Sequence, residues 1–72
     1  MKHFDIREYG RSELAGAYCP GITPEAAWRK LRRWMRLYPG LMDALRKIGY
    51  DESCRCFTPA QVSLIVSALG EP

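Results

Sequence analysis

The pattern of apolar and polar positions predicts four short helices, and the clearest of them covers residues 24–38. Thr23 is expected to cap this helix, and Pro24 to fill its first position, where a missing N–H costs nothing. Trp28 neighbours the apolar side of the helix, and both it and Trp34 are interpreted as core residues. Apolar side chains at three- and four-residue spacing define that side: Ala27, Leu31, Trp34, Met35 and Tyr38.

The first and third predicted helices are shorter. The first is expected to follow a Ser12 cap and to stop before Pro20, because proline disfavours a helical conformation in the residue that precedes it. The third should run from about residue 41 to residue 48, with Gly49 as its left-handed terminator. Its expected buried residues are Leu41, Leu45 and Ile48.

The last helix has the clearest start signal, because Thr58 and Gln61 stand three residues apart, as a capping box requires. Residues 54–57 read as a short extended piece that can pair with an N-terminal strand predicted over residues 3–6. The sequence therefore predicts a mainly α fold of four short helices, with room for a short two-stranded β ribbon. The apolar positions expected to be buried by the last helix are Val62, Ile65, Val66 and Leu69.

Length and composition indicate one small globular domain spanning residues 1–72. The chain is 47% hydrophobic and 26% charged, which is ordinary for a folded protein. No apolar run approaches the roughly 18 residues needed to span a bilayer, and the N-terminus lacks the apolar core of a signal peptide. We therefore expect a cytoplasmic protein that does not enter the membrane.

The chain offers little catalytic or metal-binding chemistry. Cys19, Cys54 and Cys56 form an odd set, and we expect free thiols. Their spacings, taken with His3, match no recognised zinc ligand set. No paired carboxylates, nucleophile with a base, or glycine-rich phosphate loop can be assembled, so we expect neither an enzyme nor a bound cofactor.

Positive charge is concentrated in the second predicted helix. Five cations and one carboxylate, that of Glu25, give this segment a charge of +4, whereas the whole chain carries +3. Like charges four residues apart repel by roughly 0.2–0.5 kcal/mol per pair, although a carboxylate from Asp43 or Glu13 could neutralise them in the folded protein. Such focused charge is typical of a polyanion-binding element. The cations are Arg29, Lys30, Arg32, Arg33 and Arg36.

Three sets of motifs carry resemblances to known families. Leu14-Ala15, followed by the stretch from Gly21 to Leu31, resembles the helix-turn-helix of bacterial DNA-binding proteins. Residues 49–62 are similar to the wing and following helix of MerR-type and excisionase-like domains. The chain also resembles a family of short uncharacterised bacterial proteins that share Ser-Glu-Leu-Ala, Leu-Arg-Arg-Trp and Phe-Thr-Pro-x-Gln-Val blocks. The fold that these resemblances imply is a small helix-turn-helix-like bundle.

These resemblances, with the charge, lead us to expect a winged helix-turn-helix-like transcriptional or mobile-element accessory factor that binds duplex DNA through the helix 24–38. Arg29 is the best candidate for base contacts, with Glu25 and Trp28 alongside it, because the N-terminal half of a recognition helix faces the base edges. Arg55 on the expected wing is a second contact point. A domain this small covers little DNA, so a homodimer or a larger assembly is expected. The remaining candidates, suited to phosphates, are Lys30, Arg32, Arg33 and Arg36.

The main alternative is a protein–protein interaction module on the same fold, with a basic face that is merely solvated and an acidic protein as its partner. Such a module would present an exposed apolar patch, and the same patch could instead form a homodimer. The candidates for that patch surround the turn at residues 39–40: Leu37, Tyr38, Leu41 and Met42.

Overall fold

The computed structural model describes residues 4–72, and the mainly α architecture expected from the sequence is confirmed. Four helices pack around one core, and a short two-stranded antiparallel sheet lies beside them. The elements in chain order are β1 (Tyr9–Gly10), α1 (Arg11–Tyr18), α2 (Pro24–Leu37), α3 (Leu41–Lys47), β2 (Cys56–Phe57) and α4 (Pro59–Leu69).

The N-terminal strand lies later in the chain than the alternation at residues 3–6 indicated. Residue 3 is outside the described residues, and residues 4–6 form no strand. The strand is instead β1, in which Tyr9 pairs with Phe57 of β2. This register turns both aromatic side chains into the core, whereas Ile6 remains 46% exposed. Burial of Tyr9 therefore decides where the strand forms, and the ring of Phe4 stacks on it.

The start of α1 differs from the expected Ser12 cap. Gly10 occupies the N-cap position, and the Glu13 carboxylate accepts its backbone N–H at 3.1 Å. Arg11 is the first helical residue, and its backbone N–H donates to the Arg55 carbonyl at 2.9 Å. The strand pairing therefore continues into the first helical residue, which moves the helix start ahead of Ser12.

The caps of the two longest helices are confirmed. The Thr23 hydroxyl accepts the Ala26 N–H at 3.2 Å, and Pro24 begins α2. At α4 the capping box closes in both directions, because Thr58 and Gln61 each accept the other's backbone N–H. The Gln61 side chain is 3% exposed and also donates to the Ile48 carbonyl, which ties the start of α4 to the end of α3.

α3 ends one residue earlier than expected, at Lys47. Gly49 has φ +93°, as a left-handed terminator requires, and the Tyr50 N–H donates back to the Leu45 carbonyl at 3.0 Å. The expected burial of Ile48 is wrong, because this side chain lies at the helix terminus and is 43% exposed. Tyr50 takes the core position and stacks on Phe57.

The core joins all four helices and both strands. Trp28 is half-buried and packs against Phe57, with ring centroids 6.0 Å apart. The interpretation of Trp34 as a core residue is wrong: it is 38% exposed, and its ring meets the Tyr18 ring edge-on, with centroids 6.5 Å apart. The side chains buried from α2, α3 and α4, as the apolar spacing indicated, include Ala27, Leu31, Met35, Leu41, Leu45, Val62 and Ile65, and α1 buries Leu14 and Ala15. Val66 and Leu69 are half-buried.

Candidate nucleic-acid interface

The exposed side of α2 carries the concentrated positive charge. Ala27, Leu31 and Met35 point into the core, so the helix turns its other side toward solvent. Arg29 and Arg33 fall on that side because each lies two positions from its nearest buried residues, just over half a turn around the helix. Arg32 is half-buried at the edge of this surface. The exposed members are Arg29, Lys30, Arg33 and Arg36.

One flank of this surface is paired with a carboxylate from the loop that precedes β2. The Glu52 carboxylate accepts hydrogen bonds from Arg32 at 2.9 Å and from Arg36 at 2.8 Å. These hydrogen bonds lower the pKa of the Glu52 carboxyl below its ordinary value. All three side chains remain roughly half exposed, so solvent screens the two ion pairs.

The two carboxylates considered from the sequence as neutralising partners, Asp43 and Glu13, pair with other arginines. Asp43 pairs with Arg46 one turn along α3, and Glu13 pairs with Arg7 at 3.0 Å. The Arg7 hydrogen bond and that from the Gly10 backbone lower the pKa of the Glu13 carboxyl. Sequence reasoning missed Glu52 because local patterns do not show which helix a loop carboxylate will meet. Residues 52 and 53 form a turn, and the chain folds this turn against α2.

The opposite flank of α2 carries basic residues without such a partner. Within residues 4–72, no carboxylate lies within ion-pairing distance of Lys30 or Arg33, and the same holds for Arg29 between the two flanks. Lys30 and Arg33 border a shallow depression of about 350 Å³ next to Ile22. Arg29 borders this depression and two others, so it lies at the centre of the basic surface.

A cleft of about 380 Å³ separates the start of α1 from the N-terminal half of α2. Arg11 borders it from α1, and its guanidinium carbon lies 5.4 Å from the centroid of the Trp28 ring. Glu25 and Arg29 border it from α2. Arg11 was not among the sequence candidates, since its position depends on strand pairing between distant parts of the chain.

Arg55 lies in a bend just before β2 and is exposed. Its carbonyl accepts the Arg11 N–H at 2.9 Å. This hydrogen bond brings the backbone of Arg55 next to the start of α1.

The exposed apolar patch at the end of α2 differs in membership from the expected one. Leu37 is 68% exposed, and Tyr38 is 44% exposed. Leu41 is buried at 3% exposure and Met42 is half-buried, so neither belongs to the open patch. Trp34 joins it instead. We call Trp34, Leu37 and Tyr38 the apolar patch.

The three cysteines are free and occupy different environments: Cys19 is buried, Cys54 half-buried and Cys56 exposed. Residues 4–72 contain no cluster of three or more His, Cys, Asp or Glu side chains arranged to hold a metal ion, and His3 lies outside this range. Among the helices of the described chain, none combines the length and apolar character that crossing a membrane requires.

Comparison with known proteins identifies one family. The chain belongs to the family described as Domain of unknown function (DUF4248), whose model matches residues 5–72. The whole fold, from the segment before β1 to the end of α4, is therefore that of the family domain. No curated protein and no solved structure matches the chain.

Proposed function

We propose that this DUF4248 protein binds duplex DNA through the exposed basic side of α2. The observation that carries the proposal is the open group of Arg29, Lys30 and Arg33, which within the described chain has no carboxylate partner. Unpaired cations one turn apart repel each other and are relieved by an external polyanion. Phosphates of a nucleic acid supply such charge at regular spacing.

The position of Arg29 supports a role in reading bases. It lies in the N-terminal half of α2 and borders three depressions of the basic surface. An arginine there can donate two parallel hydrogen bonds to the O6 and N7 atoms of guanine in the major groove. Glu25, one turn earlier, presents a carboxylate that can accept from the amino group of cytosine.

Lys30 and Arg33 are better suited to phosphates, because they lie on one side of Arg29 and face open solvent. Arg32 and Arg36 contribute less in this proposal, since binding a phosphate would require them to exchange the Glu52 carboxylate for it. Phosphate contacts orient a protein on the duplex, whereas base contacts give selectivity. Sequence preference would therefore depend mainly on Arg29.

The helix-turn-helix interpretation belongs to this proposal. α1 and α2 pack against each other, with a turn over residues 19–23 between them, and α2 is the more basic of the two. In this arrangement α2 enters the major groove and α1 crosses the DNA backbone. Arg55 would supply a further contact from the bend before β2, in the manner of a wing. A regulator or accessory factor for mobile elements fits this description.

Fluorescence anisotropy on labelled duplexes at increasing salt tests the proposal. With four or five phosphates neutralised, affinity should fall by roughly two orders of magnitude or more between about 50 and 200 mM salt. Arg33→Ala should reduce the slope of log affinity against log salt by about one. The matched control is Arg46→Ala on α3, which removes a cation outside the basic surface. Absence of binding at about 50 mM salt would refute the proposal.

A second candidate function, protein–protein interaction, is favoured by the apolar patch. Leu37 is 68% exposed at the end of α2, and apolar side chains grouped in this way often mark an interface. Sedimentation velocity should then detect self-association of the wild type. Leu37→Lys should abolish this self-association, whereas Ile48→Lys, at an exposed site just after α3, should leave it unchanged. A chain that stays monomeric at every concentration tested would argue against a dimer.

A further inference from the structure

Arg11 differs from the other arginines in the way the fold holds it. Its backbone N–H is bound to the Arg55 carbonyl, and its guanidinium lies over the Trp28 ring at 5.4 Å. A cation held over an aromatic face is positioned by the ring quadrupole without using its N–H groups. Within residues 4–72, the Arg11 guanidinium forms neither an ion pair nor a hydrogen bond.

Arg7 provides a contrast within the same chain. Its guanidinium also lies over an aromatic ring, 3.9 Å from the centroid of Tyr9. It donates one hydrogen bond to the Glu8 carbonyl at 2.8 Å and one to the Glu13 carboxylate at 3.0 Å. Its charge is therefore compensated inside the molecule, while that of Arg11 is not. The five N–H donors of Arg11 remain available to a planar, multidentate acceptor.

The cleft beside Arg11 shows where that acceptor would lie. Arg11 borders the cleft from α1, whereas Arg29 and Arg32 border it from α2. The carboxylate of Glu25 lies at the same cleft, but not within ion-pairing distance of any of these arginines. A free anion at the centre of the cleft would be repelled by this carboxylate. A phosphodiester on the α1 side would contact Arg11, and Glu25 would remain available to base edges.

We infer that Arg11 is a further DNA-contacting residue of this protein, and that it binds a backbone phosphate next to the base pair faced by Arg29. This inference rests on the proposed function and extends it, because it assigns to α1 the contact with the DNA backbone. Trp28 acts as a positioning residue, since its ring holds the Arg11 guanidinium at the edge of the cleft. Arg11 then fixes the register of α2 in the groove, as phosphate contacts do.

The test compares Arg11→Ala with Arg7→Ala in the anisotropy titration. Arg11→Ala should reduce the salt slope by about one, as the loss of one phosphate contact requires, whereas Arg7→Ala should leave the slope unchanged. Arg11→Gln, which keeps most of the aliphatic stem and removes the charge, serves as the second variant if the alanine variant does not fold. Thermal unfolding monitored by circular dichroism checks folding of each variant.

A direct reading comes from the NMR signal of the Arg11 Nε–H group, assigned by its disappearance in Arg11→Gln. Addition of duplex should shift this signal in the wild type. Trp28→Leu should weaken the shift, because it removes the ring that holds the guanidinium. Trp28→Phe retains a ring and should preserve most of the shift.

The outcomes separate the inference from the proposal on which it rests. If Arg11→Ala keeps the wild-type slope while Arg33→Ala loses about one unit, the inference is wrong and the proposed function stands. The inference is also wrong if Arg7→Ala reduces the slope as much as Arg11→Ala, since the effect would then follow net charge alone. If the wild type does not bind duplex at low salt, both fail together.

Discussion

The two flanks of α2 carry the same kind of residue, but their surroundings differ. On one flank, Arg32 and Arg36 share the Glu52 carboxylate. On the other, Lys30 and Arg33 face solvent without such a partner among residues 4–72. The helix itself cannot produce this difference, which comes from the loop before β2 folding against one flank only. The number of cations on a helix therefore overstates the charge that is free to meet a partner.

Removing the two cations of each flank gives the largest expected contrast. Lys30→Ala with Arg33→Ala should reduce the salt slope by about two and weaken binding by nearly two orders of magnitude at about 100 mM salt. Arg32→Ala with Arg36→Ala should cost much less, because these arginines already have an internal acceptor. Anisotropy titrations of the two double variants test this directly. Equal losses would mean that both flanks engage the duplex alike.

Replacing Arg29 by lysine, at the centre of the basic surface, separates the effect of its charge from the effect of its planar shape. Arg29→Lys keeps the positive charge but loses the planar fork that matches a guanine edge. The salt slope should stay the same, while discrimination among duplex sequences falls by roughly 1–3 kcal/mol. Competition between a preferred and a scrambled duplex measures this, with Arg33→Lys as the control. A preference that survives in Arg29→Lys would exclude Arg29 as the base-reading residue.

Removing the Glu52 charge that pairs with Arg32 and Arg36 should make this flank of α2 bind phosphates as the opposite flank is proposed to do. Glu52→Gln removes the charge that competes with phosphates, so we expect affinity to rise several-fold and the salt slope to steepen, by roughly two units at most. Asp43→Asn is the matched control, because it removes the partner of Arg46 on α3. If Glu52→Gln leaves the titration unchanged, Arg32 and Arg36 do not reach the DNA.

The smallest expected effect is the pH dependence of the ion pairs at Glu52. Because the folded state lowers the pKa of this carboxyl from its ordinary value of 4.5, its contribution to stability is present above that pH. The contribution is lost as the pH falls through the folded-state pKa. Urea unfolding between about pH 3 and pH 7 should show a wild-type advantage over Glu52→Gln that disappears at the acid end. An advantage that persists there would have another origin.

Much of the fold could be predicted because its signals are local. The caps at Thr23 and Thr58 depend on a side chain that reaches a backbone N–H three residues away. The return of Tyr50 to Leu45 depends on a glycine between them. The strand was misplaced because its position depends on Tyr9 meeting Phe57 from a remote part of the chain. No short-range pattern carries that information.

The predictions about the candidate site also divide into those that depend on local spacing and those that depend on distant segments. Helical periodicity indicates correctly that Arg29 and Arg33 face solvent, since their spacing from the buried positions follows from the helix alone. The same periodicity was wrong for Trp34, because the neighbouring elements do not cover that side of α2 near its end. Whether a neighbouring element covers a position on α2 depends on where the other segments end. The spacing of apolar residues along α2 does not contain this information.

By itself, the sequence determined the four helices, the N-terminal caps of the two longest ones, the apolar side of α2 and the concentration of positive charge on this helix. Only the tertiary structure decided which of those charges Glu52 compensates and that Arg11 lies on Trp28 beside Arg29. The physical reason is how far apart along the chain the interacting residues lie. Helices and caps arise from hydrogen bonds between residues within four positions, whereas ion pairs and stacking between distant segments exist only after the core has brought these segments together.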